Sequence, residues 1–149
     1  MTLEITPATE ADLAAIDEIE RLSFTTPWPR ETFAGELARE WARIDVGRCG
    51  ERIVAFNNYW VVTTEVHILH IATHPGERGH GYGTQLLAHA LATAITTGCV
   101  LATLEVRRSN KAAIALYERA GFKTVHVRAR YYQDDGEDAL VMLRGLAAA

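Results

Sequence analysis

The sequence predicts an α+β fold in which helices pack on one mixed sheet. Two observations support this class. Strand-like and helix-like runs follow one another in the order β-α-α-β-β-β-α-β-α-β-β, with no internal repeat and no linker between them. The chain has 149 residues, of which 48% are hydrophobic and 23% charged, so its length and composition suit one globular domain spanning residues 1–149.

Each element follows from the spacing of its apolar residues. Leu13, Ile16 and Ile19 recur at helical spacing, whereas the apolar residues from 100 to 106 occupy every second position, as on one face of a strand. Two prolines beside Trp28 separate the first two helices, and Gly121 follows the last helix at a position that favours glycine. The predicted elements, in order, are strand 3–7, helix 13–23, helix 30–40, strands 42–48, 52–62 and 66–73, helix 85–97, strand 100–107, helix 111–120, and strands 122–131 and 139–144.

The stretch from Arg78 to Thr84 reads R-G-x-G-x-G-T and lies between a predicted strand and a predicted helix. Closely spaced glycines allow backbone N–H groups to surround an anion, and the helix that follows directs its positive dipole end at the same place. The segment therefore predicts a diphosphate site, with an ordinary turn as the alternative. It is not a P-loop, because no Gly-Lys-Ser/Thr follows, and neither its spacing nor the residues after it fit a dinucleotide-binding Rossmann motif. Coenzyme A remains as the diphosphate ligand.

Net charge, cysteine usage and hydropathy argue against several other classes. A formal net charge of −4 argues against nucleic-acid binding. Cys49 and Cys99 are isolated, which predicts two buried structural thiols rather than a zinc site or a disulfide framework. His67, His70 and His74 are expected on a strand, with His67 and His70 on opposite faces, so no metal is predicted. No apolar run reaches ~18 residues and the N-terminus lacks a signal-peptide pattern, so we expect a cytoplasmic protein without a membrane partner.

Further motifs point to one family. Residues 104–110 read L-E-V-R-R-S-N, residues 113–122 read A-I-A-L-Y-E-R-A-G-F, and Tyr131-Tyr132 is followed by D-G-E-D-A at 135–139. Together with the glycine segment, with Pro27-Trp28 and with Ile71-Ala72, these motifs resemble the GNAT acetyltransferases, and among them most closely the bacterial ribosomal-protein-alanine N-acetyltransferases (the RimI type). The resemblance covers nearly the whole chain in the expected order. His74 and His70 are departures, since they stand where that type commonly has Asp and can have Asn, respectively.

The resemblance implies a GNAT fold, in which a single, mostly antiparallel sheet is flanked by about four helices and two splayed strands hold acetyl-CoA. Backbone groups near the end of the strand 66–73 would pair with the pantetheine arm, and the glycine segment would hold the pyrophosphate. Asn110 would hydrogen-bond the arm, although it can instead be only a helix N-cap, and Arg78 can be only a solvated loop residue. The cofactor-binding residues that the resemblance implies are Ile71, Ala72, Thr73, Arg78, Gly79, His80, Gly81, Tyr82, Gly83, Thr84 and Asn110.

Acetyl transfer to an amine needs a proton acceptor for the amine and benefits from a proton donor for the leaving thiolate. The resemblance places the general base at Glu105, acting directly or through water, in the middle of a strand where glutamate is disfavoured. It places the general acid at Tyr117, on the helix that follows. A solvated residue of an edge strand and a helix-packing aromatic are the respective alternatives. His70 is a minor candidate for a second base or a substrate contact.

The acceptor site is also predicted by resemblance. Trp28, Tyr131 and Tyr132 would line the peptide cleft, with loop packing as the alternative. Asp134 to Asp138 is expected to be a solvated turn that could attract basic N-termini. The expected acceptor is the N-terminal α-amine of a protein, such as a ribosomal protein that begins with alanine. A lysine side chain, a polyamine or another small amine is the alternative acceptor, and a non-catalytic acyl-CoA-binding module is the alternative to an enzyme.

Overall fold

The structure of this protein, a computed structural model, describes residues 2–146. Short 3₁₀ turns at Glu10–Asp12 and Pro75–Glu77 precede the first helix and the glycine segment. In the described part of the chain, no helix combines the length and the apolarity that crossing a bilayer requires. The main elements are β1 (Glu4–Pro7), α1 (Leu13–Ser23), α2 (Arg30–Leu37), β2 (Ala42–Cys49), β3 (Arg52–Val62), β4 (Glu65–Thr73), α3 (Tyr82–Thr96), β5 (Leu101–Arg107), α4 (Lys111–Arg119), β6 (Lys123–Arg128) and β7 (Ala139–Gly145).

The strands of residues 2–146 form one seven-stranded sheet in the order β1-β2-β3-β4-β5-β7-β6. Every neighbouring pair is antiparallel except β4 and β5, which run parallel. A parallel pair needs a crossover connection, and α3 provides it. The predicted α+β class, with a mixed, mostly antiparallel sheet and about four helices, is therefore confirmed.

The helices cover both faces of the sheet. On one face, α1 and α2 bury Ile16 and Phe33 against β2, β3 and β4. On the other face, Leu87 of α3 and Tyr117 of α4 pack in a cluster with the buried residues of β4, β5 and β7. The apolar stripe read from the sequence of α1 is the one that meets the sheet, because helical spacing places those side chains on one side of the helix.

Three predicted boundaries are wrong by three residues, each for a local backbone reason, and the others agree to within one residue. α3 begins at Tyr82 rather than at 85, because Gly81 adopts a left-handed conformation (φ +77°) and serves as the N-cap. The strand predicted to reach 131 ends at Arg128, since Arg130 has a φ of +53° and no regular strand can contain that conformation. α2 ends at Leu37 rather than at 40, where the chain turns into β2.

A β-bulge in β4 changes which of its side chains share a face. Asn58 of β3 pairs with His70, whereas the next residue of β3 pairs with Ile68, so Leu69 is an extra residue. The extra residue shifts the alternation of side chains by one position. His67 and His70 therefore both lie on the face covered by α1 and α2. The prediction that they point to opposite faces is wrong because it assumed a regular strand.

Candidate active site

β4 and β5 separate in the middle of the sheet. Parallel pairing joins Glu65–Ile68 to Leu101–Leu104 and stops there, although β4 continues to Thr73 and β5 to Arg107. Beyond that point each strand keeps only its outer partner, β3 or β7. The predicted splayed pair is therefore confirmed, and the inner edges of both strands face a gap.

Two adjoining cavities, of about 440 and 300 Å³, lie along this gap. Both are bordered by Phe24, Ile71 and Asn110, so they form one groove. The predicted site residues that line it are Trp28, Glu105, Tyr117 and Tyr132 in the larger cavity, Ala72, Thr73, Arg78 and Gly83 in the smaller one, and Ile71 and Asn110 in both. The predicted site residues that line neither cavity are Gly79, His80, Gly81, Tyr82, Thr84 and Tyr131.

The glycine segment has the backbone conformations that its composition predicts. Gly79 and Gly81 have φ values of +88° and +77°, and no atom lies within 4 Å of the position that a Cβ would take at either residue. Gly81 precedes the first turn of α3, whose N–H groups have no acceptor within the helix. The Tyr82 side chain is buried, and the Cys49 thiol donates a hydrogen bond to its hydroxyl (3.2 Å). Only the backbone of Tyr82 is therefore available to a ligand.

Arg78 and Asn110 line the smaller cavity, and both have structural partners. Arg78 is exposed, yet its guanidinium donates hydrogen bonds to the Thr73 carbonyl (3.2 Å) and the Ser23 hydroxyl (3.3 Å), which ties the end of β4 to α1. The Asn110 side chain accepts a hydrogen bond from the Ala113 N–H (3.2 Å) and so caps α4. Capping explains the presence of Asn110, and its position on the groove also allows contact with a ligand.

Glu105 lies on β5 where β4 departs, and it lines the larger cavity. Its carboxylate accepts a hydrogen bond from the Tyr131 hydroxyl (3.4 Å) and lies 3.8 Å from Nε2 of His67. β5 lies between β4 and β7 in the sheet, and although Glu105 comes just after the last residue of β5 that pairs with β4, only 22% of its side chain is exposed. Tyr131 thus contacts Glu105 although it does not line the cavity.

Tyr117 combines a packing position with access to the larger cavity. Its ring meets Phe122 edge-on, with 5.9 Å between the centroids, and the residue is 6% exposed. Burial raises the pKa of the Tyr117 hydroxyl well above its ordinary value, and Tyr132 adds to this rise. A hydroxyl with a raised pKa keeps its proton near neutral pH, which a proton donor must do.

Arg107, which the sequence reasoning missed, holds the loop between β6 and β7. Its guanidinium lies 3.9 Å from the centroid of the Tyr132 ring and pairs with Asp134 (3.0 Å), Asp135 (3.2 Å) and Glu137 (3.4 Å). The prediction that the acidic turn is simply solvated is therefore wrong. Three of its carboxylates form ion pairs with Arg107, which lines the cavity. Burial raises the pKa of Tyr132 to about 12, although Arg107 acts in the opposite direction.

Trp28 and His70 form the cavity wall on the side of α1. Their rings stack with 3.8 Å between centroids, and Trp28 also packs on Phe33. The backbone N–H of Trp28 donates a hydrogen bond to the Glu20 carboxylate (2.9 Å), and Nδ1 of His70 lies 3.0 Å from the same carboxylate. Glu20 is fully buried and was missed by the sequence reasoning. The sequence marks Glu20 in one way only: it is a charged residue four positions after Ile16, on the otherwise apolar stripe of α1.

The two cysteines and the candidate metal ligands can be compared with their predictions. Among residues 2–146, no group of three or more His, Cys, Asp or Glu side chains could hold a metal ion. Cys99 is buried in the core, as predicted. Cys49 is only half-buried, contrary to the prediction, because it lies at the end of β2 next to the turn into β3.

Comparison with known proteins settles the family. Residues 13–122 match the acetyltransferase (GNAT) family. The chain belongs to this family. It is 37% identical over 133 residues to the [ribosomal protein bS18]-alanine N-acetyltransferase of Salmonella typhimurium, which covers 88% of this chain and 89% of that protein. It is 36% identical over 144 residues to N-alpha-acetyltransferase RimI of Mycobacterium tuberculosis, covering 91% of this chain and 88% of that protein.

A solved structure agrees with these relatives. The crystal structure of the ribosomal-protein-S18-alanine N-acetyltransferase from Escherichia coli matches with a TM-score of 0.91 at 33% identity, over 99% of this chain and 96% of that chain. The predicted resemblance to the RimI type and the predicted N-acetyltransferase class of enzyme are thereby confirmed. The extent of the domain over residues 1–149 stays a prediction, as do the roles of individual residues.

Proposed function

We propose that this GNAT protein transfers the acetyl group of acetyl-CoA to the N-terminal α-amine of a protein, specifically a ribosomal protein that begins with alanine. The observation that carries this proposal is the continuous groove between β4 and β5, which has the glycine segment beside one cavity and Glu105 and Tyr117 in the other. Relatives named for alanine N-acetylation of ribosomal protein bS18 support this acceptor. A ribosomal acceptor would place the reaction in the cytoplasm.

The inner edge of β4 supports the assignment of acetyl-CoA as the donor. Past Ile68, the residues of β4 lose their partner on β5, so an extended pantetheine arm has backbone groups to pair with at Ile71–Thr73. The backbone N–H groups of Gly79 to Thr84, at the start of α3, would hold the pyrophosphate. The open space beside Gly79 and Gly81 suits a group that approaches the backbone closely. Asn110 would contact the arm from the start of α4.

Glu105 and Tyr117 supply the two proton-transfer groups in this proposal. Glu105 takes a proton from the acceptor ammonium, directly or through water, so that the nitrogen lone pair can attack the thioester carbon. A backbone N–H on the inner edge of β4 stabilises the developing oxyanion. As the C–N bond forms and the C–S bond breaks, the Tyr117 hydroxyl donates its proton to the thiolate. Because burial raises its pKa, this hydroxyl is a weaker acid than an ordinary tyrosine, so the transfer requires the phenol to lie close to the sulfur as the thiolate develops. The nitrogen loses its second proton to water, and water returns a proton to the Tyr117 phenolate.

The aromatic residues around the larger cavity would hold the acceptor peptide. Trp28 stands on the wall formed by the α1–α2 loop, and Tyr132 stands on the wall formed by the β6–β7 loop. Tyr131 lies in the same loop as Tyr132 and donates a hydrogen bond to Glu105, so it would help to position the Glu105 carboxylate next to the peptide. Arg107 lines the same cavity, and its contact with the Tyr132 ring and its ion pairs with the acidic turn would hold this second wall in position for a peptide N-terminus.

A peptide panel tests the acceptor. Peptides that begin with Ala, Ser or Met and contain internal lysines are incubated with the protein and acetyl-CoA, and mass spectrometry locates the acetyl group. We expect acetylation on the N-terminal nitrogen, with the alanine peptide preferred, and no reaction of a peptide whose N-terminus is blocked. Acetylation of the blocked peptide at lysine would instead support the side-chain amine alternative, and no transfer to any amine would support the acyl-CoA-binding module.

Substitution of Glu105 with Gln tests the base and the acceptor together. An α-amine has a pKa of about 8, whereas a lysine amine has a pKa of about 10.4. Glu105→Gln should lower kcat/KM at pH 7 by about 10²-fold, and much of the loss should be recovered above pH ~8, where an α-amine is already neutral. The measurement is kcat/KM from pH 6 to 9 for the variant and the unaltered protein. Activity equal to that of the unaltered protein at every pH would remove Glu105 from the base role.

A further inference from the structure

The fully buried Glu20 sits behind His70 in the wall of the larger cavity. Glu20 is 0% exposed, and its carboxylate receives the Trp28 backbone N–H at 2.9 Å and contacts Nδ1 of His70 at 3.0 Å. A buried carboxylate requires hydrogen-bond donors on its oxygens. Glu20 therefore has its donors from one backbone group and one imidazole ring, and both belong to the wall of the groove.

This contact determines which nitrogen of His70 carries the proton. A carboxylate is an acceptor only, so Nδ1 must donate, and a neutral imidazole then has its lone pair on Nε2. The Trp28 and Phe24 rings, at 3.8 and 4.6 Å between centroids, fix the plane of the imidazole. In the described part of the chain, Nε2 of His70 has no hydrogen-bond partner.

His70 and Glu105 stand on the two strands that border the gap. Both residues line the larger cavity, His70 from β4 and Glu105 from β5. The bulge at Leu69 places His70 on this face. An acceptor amine that enters between the two strands thus meets a proton-accepting group on each side. An ammonium that has given one proton to Glu105 keeps two N–H bonds and gains a lone pair, so a second fixed acceptor on one of these N–H bonds restricts rotation of the amine as its lone pair attacks the thioester carbon.

We propose that Glu20 holds His70 in the Nδ1-protonated tautomer, and that Nε2 of His70 accepts a hydrogen bond from the acceptor amine opposite Glu105. This inference rests on the proposed function for the presence of an amine in the larger cavity. His70 is then a second substrate-contacting residue, and Glu20 is a positioning residue that acts through it. If the proton moves fully to Nε2, the resulting imidazolium is balanced by the Glu20 carboxylate behind it.

Substitution of Glu20 with Gln reverses the tautomer with little change of volume. The Gln oxygen can still accept the Trp28 N–H, and its buried NH₂ group needs an acceptor, which Nδ1 of His70 supplies. Nε2 then carries the proton and faces the amine as a donor. We expect the ¹⁵N chemical shifts of the ring to show the change of tautomer, and kcat/KM for the alanine peptide to fall about 10- to 100-fold, the scale of a lost hydrogen bond to a charged group.

A second variant tests Nε2 itself. In His70→Asn, the side-chain NH₂ takes the place of Nδ1 and can still donate to Glu20, while Nε2 is removed. Because the buried carboxylate keeps a donor, the variant should fold, and its kcat/KM should fall by a similar factor. Melting temperature and the dissociation constant of acetyl-CoA are measured for both variants and should change little.

Glu18 offers a matched control on the same helix. It also contacts a histidine, with 3.1 Å between its carboxylate and Nε2 of His74, but 63% of the Glu18 side chain is exposed and it does not line the groove. Glu18→Gln should leave kcat/KM unchanged. If the unaltered protein acetylates a different amine, the proposed acceptor is wrong. The role of His70 is then tested by comparing kcat/KM of the same variants with that amine. Wild-type kcat/KM in Glu20→Gln and His70→Asn, or a proton on Nε2 in the unaltered protein, would overturn the inference.

Discussion

Replacement of Gly81 by alanine separates backbone strain from loss of acetyl-CoA binding. Gly81 has a φ of +77°, and an alanine held in this left-handed region costs about 1–2 kcal/mol relative to glycine. No atom lies within 4 Å of the added Cβ, so no steric clash adds to that cost. In a domain of this size, the expected fall in melting temperature without ligand is about 2–8 °C. The protein should still fold, because a domain typically has several times this stability.

The binding measurement uses Gly50→Ala as its control. Gly50 also has a positive φ, +64°, and open space around its Cβ position, but it lies in the turn between β2 and β3. Both variants should lose similar stability by thermal unfolding. Only Gly81→Ala should weaken acetyl-CoA binding by calorimetry, by about tenfold or more, because its Cβ would enter the space where the pyrophosphate approaches the backbone. Equal dissociation constants for the two variants would refute the glycine segment as the pyrophosphate site.

Two further substitutions test the acid and a buried carboxyl away from the groove. Tyr117→Phe keeps the packing on Phe122 and should lower kcat by about 10²-fold while the acetyl-CoA dissociation constant stays the same; steady-state kinetics with an unchanged kcat would contradict the acid role. Asp45 is buried and accepts a hydrogen bond from the Tyr59 hydroxyl (2.7 Å), and burial raises the pKa of Asp45 despite that bond. Asp45→Asn should therefore raise the melting temperature at pH 7, and this gain should shrink as pH falls through the folded-state pKa, because the wild-type carboxyl then protonates in the folded state. The explanation by charge burial would be refuted if the gain in melting temperature stayed the same at low pH, or if Asp45→Asn lowered the melting temperature at pH 7.

The order and type of most elements could be predicted because their apolar residues repeat with the period of a helix or a strand. In α1, Ile16 and Ile19 repeat at helical spacing and meet the sheet together. In β5, Ala102, Leu104 and Val106 alternate and form part of the opposite core. Such patterns are local, so one sequence contains them in full.

The splay of β4 and β5 could not be read from those patterns. The two strands have continuous apolar faces, and nothing in their composition marks the point after Ile68 where pairing stops. The length of a parallel ladder depends on contacts between residues far apart in the chain. Here only the resemblance to GNAT acetyltransferases supplied the prediction.

Side chains whose partners are distant in the sequence were also missed. Glu20 lies on an apolar stripe, and nothing local shows that His70 lies next to its carboxylate, 50 residues later. Arg107 was read as the end of a strand, although an acidic turn about 28 residues later supplies its partners. In both cases burial creates the demand for a partner, and burial is known only once the fold is known.

The bulge at Leu69 connects the shape of the groove to its chemistry. Pairing between β4 and β5 ends at Ile68, the residue immediately before the bulge. Because an extra residue bends a strand and increases its twist, the bulge can turn β4 away from β5 at the point where the gap begins. The same extra residue moves His70 to the face of Glu20 and Trp28. One irregularity in the strand thus accounts for both the open edge that would receive acetyl-CoA and the position of the imidazole opposite Glu105.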